Sequence, residues 1–232
     1  MQPKSHRAIC LKAAFFLALA MPASAAIAAA TDCGDLSNGT NGPFDYRNER
    51  QALQVVETFH FTAKVEALVT GQSGYQVGAD LEYVLRAFPN HPRALMATMR
   101  WGEKLKTATP SDMHYSVECF FDRALRFRPD DNVVRMIYAT FLSRNGRQEE
   151  SVPQIDMVAA RAGDNPFTHY NAGLLYAELK QYDKALAQAH AAMALGFTRT
   201  ELREQLKAAG EWSDPVQASE PAAPAASAVQ PS

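Results

Sequence analysis

Residues Asn165 to Gly196 read NPFTHYNAGLLYAELKQYDKALAQAHAAMALG, and this stretch decides the fold. Apolar residues recur at three and four through both halves and are interrupted at Leu179–Gln181, the pattern of two helices joined by a tight turn. Gly173, Ala185 and Ala192 fall where the two helices would approach most closely, and Tyr176 and Tyr182 fill the space beside them. Small residues at the contact and large ones at the gap are what close packing of a helix pair requires.

A step of 34 residues toward the N-terminus takes Gly173 to Ala139, Ala185 to Ser151 and Leu175 to Phe141, so small positions stay small and large ones stay large. Helix-ending sites fall at Pro129, Gly163 and Phe197 with the same step. Phe120–Asp131 (FFDRALRFRPDD) has the character of a repeat end, and Leu81–Pro92 (LEYVLRAFPNHP) is a weaker copy 40 residues earlier. The extra residues of that longer step are assigned to a loop at Thr107–Asp112. Three units are therefore expected, at 92–131, 132–165 and 166–199, preceded by a degenerate helix pair at 48–89. Thr200–Trp212 (TELREQLKAAGEW) has helical spacing behind Thr198 and Thr200, either of which can cap it, and reads as a terminal capping helix.

Gly173, Tyr176, Tyr182, Ala185 and Ala192, with Asn171 before and Leu195-Gly196 after, resemble the signature of a tetratricopeptide repeat. The motif is specific in this unit; the other two units are supported by phase. The resemblance implies an all-α fold: a right-handed superhelix of antiparallel helix pairs, a TPR-like α-solenoid with a C-terminal capping helix over 48–212. The general plan is also similar to exported proteobacterial repeat proteins of unassigned role, which implies a compartment and no activity.

The ends differ from this region. Lys4, Arg7 and Lys12 precede the apolar run Ala13–Met21, and Ala23-Ser24-Ala25 and Ala28-Ala29-Ala30 offer small-residue exits, so residues 1–30 read as a secretory signal peptide cleaved after Ala25 or Ala30. The run is too short to span a bilayer, which takes about 20 residues. Residues 31–47 are Gly-, Asn- and Pro-rich and read as an irregular arm; residues 213–232 are rich in Pro, Ala and Ser and read as a disordered tail. Breaks between helices are expected at Gly71–Gly78, Pro89–Pro92, Thr107–Asp112, Pro129–Asn132, Arg144–Arg147, Gly163–Pro166 and Leu179–Gln181, and no stretch shows strand alternation. Without the three basic residues of the leader, 20 Lys and Arg face 25 Asp and Glu, a net charge of about −5. No basic run is present, which argues against nucleic acid as a partner. Export leaves Cys33 and Cys119. An oxidising compartment favours a disulfide between them, pinning the arm with Phe44, Asp45, Tyr46 and Arg47 against the early units; the other reading is a buried thiol at Cys119 and an exposed Cys33.

Motifs for catalysis are missing: there is no H-E-x-x-H, G-x-S-x-G, phosphate loop or C-x-x-C. His60, His91, His114, His169 and His190 are scattered over different units, and His60 and His169 read first as packing residues, with acid–base or ligand roles as the alternative. No catalytic residue, metal or cofactor is expected. Binding in the family that the chain resembles uses the first-helix face. Phase places Phe59, Thr62 and Glu66, then Arg93, Met96 and Arg100, then Val133, Met136 and Thr140, then Phe167, Tyr170 and Leu174 there. The Lys and Asn positions of carboxylate-clamp repeats are absent. An apolar and aromatic trough with arginines near one end suits a peptide segment of another envelope or secreted protein. The expected function is thus a periplasmic adaptor or scaffold without membrane insertion after signal removal. The alternatives are a glycan- or cell-wall-binding module using Trp101, Tyr115 and Tyr170, or a hydrolytic enzyme using His60 or His169.

Overall fold

The computed structural model describes residues 32–37, 42–72 and 76–215; the expected signal peptide and the tail beyond residue 215 lie outside the described residues. Ten helices and no strand occur among them: α1 (Arg50–His60), α2 (Ala63–Glu66), α3 (Val77–Ala87), α4 (Pro92–Leu105), α5 (Val117–Phe127), α6 (Asn132–Arg144), α7 (Gln148–Ala160), α8 (Pro166–Glu178), α9 (Tyr182–Ala194) and α10 (Glu201–Ala209).

The starts of α4, α6 and α8 follow local capping chemistry. The Pro89-Asn90-His91-Pro92 turn places His91 before α4, where its Nδ1 accepts from the Ala94 N–H at 3.1 Å and Pro92 occupies the first helical position, needing no donor there. The corresponding residue before α6 is Asp131, whose Oδ1 accepts from the Val133 and Val134 N–H groups at 3.1 Å. Before α8 it is Asn165, which caps Thr168 at 3.1 Å ahead of Pro166. Thr200 behaves differently from the expectation: its hydroxyl makes no cap bond, and Glu201 and Glu204 supply the negative charge favoured in a first helical turn.

The two C-terminal pairs keep one phase. α6 and α8 begin at 132 and 166, and α7 and α9 at 148 and 182, both steps being 34. α3 and α5 begin at 77 and 117, a step of 40, and the extra length lies in the 106–116 loop between α4 and α5. Each helix from α3 to α10 packs on its chain neighbour, and the first helices α4, α6, α8 and α10 also pack in succession. Two buried clusters result. One runs from Leu53 to Ile137 and the other from Ala139 to Leu206, so α6 contributes to both.

The small residues do the work that the sequence assigns them. Ala139, Ala172, Ala185 and Ala192 are buried, and the buried Ser151 donates its Oγ–H to the Ala139 carbonyl at 2.8 Å, so its one polar group is satisfied inside the contact. At Gly173 a Cβ would run into Leu202 Cδ2 of α10 and lie 3.4 Å from the Ala185 carbonyl oxygen. Ala185→Leu should therefore cost about 1–3 kcal/mol through overpacking. Lys184→Leu, at an exposed position where a surface pair with Asp156 (2.7 Å) is lost, should cost less than about 1 kcal/mol. Equal falls in thermal midpoint for the two variants would contradict the phase.

One break was not signalled. The helical pattern from Asn48 was expected to run to Gly71, yet α1 ends at His60, Phe61 and Thr62 form a corner, and the short α2 follows. Phe61, Val65 and Leu68 are all buried at spacings of four and three, so the apolar rhythm continues across the corner and hides it.

Candidate functional site

The predicted binding face lies on α4, α6 and α8. Arg93, Val133 and Phe167 are equivalent residues one after another; so are Met96, Met136 and Tyr170, and Arg100, Thr140 and Leu174. Three of these leave large apolar side chains in water: Met96 is 40% exposed, Val133 50% and Phe167 64%. Met136, Thr140 and Leu174 are half-buried, and the Thr140 hydroxyl is turned back onto the Met136 carbonyl at 3.0 Å. Phe59 is exposed on α1, which reaches α4 through Glu57, 3.5 Å from Arg93.

Two of the expected anchors are committed elsewhere. Tyr170 is only 3% exposed; its hydroxyl donates to Glu201 at 2.7 Å and its ring lies 4.6 Å from that of Phe197. The approach of α10 buries it, so it is a packing residue and not a surface anchor. Arg93 grips Glu66 with two donors, Nε to Oε1 at 2.9 Å and Nη2 to Oε2, and its guanidinium lies over the Phe61 ring. That bond holds the Glu66 carboxyl below its ordinary range and neutralises most of the charge that Arg93 would offer a partner. Among the described residues Arg100 donates to the Glu66 carbonyl, at 3.3 Å, and forms no ion pair with a carboxylate.

The arm is fixed by the expected disulfide between Cys33 and Cys119. Arg123, fully buried in α5, donates Nη1 to the carbonyls of Cys33 (3.0 Å) and Asp35 (2.8 Å), with the Tyr115 ring beneath its guanidinium. Gly34 has φ +68°, and a Cβ there would enter the Tyr115 ring. Further on, the Phe44 N–H donates to the Ala87 carbonyl at 2.8 Å and the Tyr46 N–H to Asn90 Oδ1 at 3.0 Å. Asp45 is 3% exposed and accepts from Arg47, from Asn90 Nδ2 at 2.8 Å and from Arg128 Nε at 2.7 Å, while the same Asn90 amide reaches the α6 cap Asp131 at 3.0 Å. The arm therefore joins the turn before α4 to the turn before α6. His91, buried in the first of these turns, accepts at Nδ1 and so must donate Nε2–H to Glu57, at 3.1 Å; burial pushes its pKa down to about 4 and keeps it neutral.

A second feature was not found from sequence. A cleft of about 400 Å³ lies over α3 and is lined by His60, Asp80, Glu82, Tyr83, Arg86, Asp112 and His114. Asp80 and Glu82 are nearly fully buried. Asp80 takes the His60 Nδ1–H at 2.9 Å and the Gln72 N–H at 2.7 Å. Glu82 takes the His114 Nδ1–H at 2.8 Å and the His114 backbone N–H at 2.6 Å. The signal available was two carboxylates inside the otherwise apolar helix VGADLEYVLRA. His169 is held at both ring nitrogens, by Gln188 at 2.7 Å and the Gly163 carbonyl at 2.8 Å, as a packing residue would be. The aromatic faces considered for glycan are each engaged: Trp101 donates to Asp112 at 3.1 Å with Lys104 over its ring, Tyr115 lies under Arg123, and Tyr170 is buried.

The chain is thus an all-helical protein of packed helix pairs with a disulfide-pinned arm. Compared with known proteins, it matches no family model, no curated protein and no solved structure. Among the described residues no helix is long and apolar enough to cross a membrane, and the disulfide is compatible with an oxidising, exported compartment.

Proposed function

We propose that this chain is a periplasmic adaptor, a right-handed superhelix of TPR-like helix pairs that holds a peptide segment of another envelope or secreted protein against α4, α6 and α8 without catalysis. The observation that carries this reading is the exposure of Met96, Val133 and Phe167 on three consecutive first helices. Val133 and Phe167 are equivalent positions and Met96 lies one helical turn along α4, and exposed apolar side chains grouped on one face of successive helices mark an interaction surface more often than scattered ones do. Packed helices lie about 8–10 Å apart. An extended peptide advances about 3.3 Å per residue. The matching segment therefore carries apolar side chains roughly three residues apart, with an acidic residue or C-terminal carboxylate facing Arg100.

An array of synthetic peptides carrying this apolar spacing, with and without the acidic group, tests the reading. The full chain should prefer the apolar, acid-bearing peptides. Val133→Glu with Phe167→Glu should weaken binding by about 30-fold or more, as loss of about 2 kcal/mol at an interface anchor does. Uniform weak binding to all peptides, or unchanged affinity in the folded double variant, would overturn it.

A further inference from the structure

We infer that the cleft over α3 is a binding site for a small molecule carrying an oxyanion, a phosphate monoester or a carboxylate. The carboxylates in this cleft face away from a ligand in the chemical sense: Asp80 and Glu82 are buried, and each is already taken by an imidazole N–H and a backbone N–H. Asp112 is likewise occupied, by the Gly78 N–H at 2.7 Å and the Trp101 Nε1–H at 3.1 Å. What they present toward the cleft are their partners. Because an ionised carboxylate only accepts, both histidines must carry the proton on Nδ1, which fixes the ring orientations and leaves both Nε2 atoms for something else. Neither Nε2 makes a hydrogen bond among the described residues.

Arg86 supplies the third group. Its guanidinium lines the cleft, with Glu82 4.0 Å from Nε and the Arg123 guanidinium of α5 close enough to act on it electrostatically, and no nitrogen of the fork makes a hydrogen bond among the described residues. The terminal nitrogens of the fork are therefore open to an acceptor in the cleft, and oxyanions are the acceptors an arginine fork matches best. Tyr83, stacked on His60 with ring centroids 3.8 Å apart, makes one wall rigid. The cleft thus gathers two imidazoles, each oriented by a buried carboxylate, and one guanidinium, which are all donors once the imidazoles are protonated. The charged groups that enter this balance are His60 from α1, Asp80, Glu82 and Arg86 from α3, Asp112 and His114 from the loop, and Arg123 from α5, which interacts with Glu82 and Arg86. A proton added to either imidazole puts positive charge in front of the carboxylates, so oxyanion affinity should be higher in acid than at neutral pH.

The test uses the full chain with its disulfide intact. It is titrated with phenyl phosphate, benzoate and inorganic phosphate at pH 5.5 and 7.5, following the imidazole proton signals by nuclear magnetic resonance. The inference predicts saturable shifts of His60 and His114, with His169 and His190 unmoved, stronger at pH 5.5. It also predicts about tenfold weaker binding in Arg86→Gln, the loss of roughly one charge-assisted hydrogen bond, and retention in Arg86→Lys. Response to the two phosphates alone assigns a phosphate ligand, and response to benzoate alone a carboxylate. No saturable shift with any probe up to about 10 mM at pH 5.5, equal shifts at all histidines, or full binding by Arg86→Gln would overturn the site.

Discussion

Reduction of the Cys33–Cys119 bond should lower the stability of the folded chain by up to about 4–5 kcal/mol. The bond closes a loop of 86 residues. The chain-entropy model assigns roughly that much to the restriction of the unfolded chain at this length, and native-state strain can only reduce it. Three hydrogen bonds also depend on the pinned arm. With the arm unpinned, Arg123 loses the Cys33 and Asp35 carbonyls that meet its buried charge, and Arg126 loses its bond to the Gly34 carbonyl, 3.0 Å long in the folded chain. For a chain of this size the loss corresponds to a fall of about 10 °C in thermal midpoint. Paired denaturant and thermal melts of oxidised and reduced protein measure it. Coincident melts would show that the arm is held without the bond.

Asp45→Ala should cost about 3 kcal/mol at pH 7. Removing one partner of a buried ion cluster is expensive because the remaining groups keep their charge but lose its match. Here Arg47 and Arg128 are each 39% exposed and can turn toward water, which places the cost at the lower end of the usual range for such deletions. Asn90 cannot do so: it is buried and would be left with Asp131 and the Tyr46 N–H alone. The pH dependence has a definite sign. Hydrogen bonds, led by those from Arg47, hold the Asp45 carboxyl well below its unfolded value of 3.8. A depressed carboxylate contributes stability that is complete above the unfolded pKa and disappears as pH falls below it. The gap between wild type and Asp45→Ala should therefore be constant from pH 5 to 7 and narrow below about pH 4. A gap that widens with acid would contradict the network.

The parts of this fold that could be read in the sequence are those where a packing rule fixes both residue type and spacing. The step from α6–α7 to α8–α9 was legible because helix contact demands small residues, and Ala139, Ser151, Gly173 and Ala185 satisfy that demand with one period. The disulfide was legible because the expected loss of Cys10 with the leader leaves Cys33 and Cys119 of the three cysteines, and an oxidising compartment favours their pairing. The corner at Phe61 was not, since apolar spacing survives the change of direction. The cleft was not legible either. His60 meets Asp80 across that hidden corner, and Glu82 meets His114 across α4 and its long loop, contacts that no local pattern encodes. Phase put Tyr170 at the α8 position equivalent to Met96 and Met136, but whether a face is open depends on what lies beyond it, and α10 lies beyond α8.

The central claim, that α4, α6 and α8 present the working surface, is tested most directly by methyl nuclear magnetic resonance of the full chain with the tightest peptide from the array. The methyl signals of Met96, Val133 and Leu174, on first helices, should shift and saturate together. Those of Met157 and Met193, about as open to solvent as Met96 but on the second helices α7 and α9, should stay in place. Shifts confined to Met157 and Met193, with Met96 and Val133 unmoved, would contradict it.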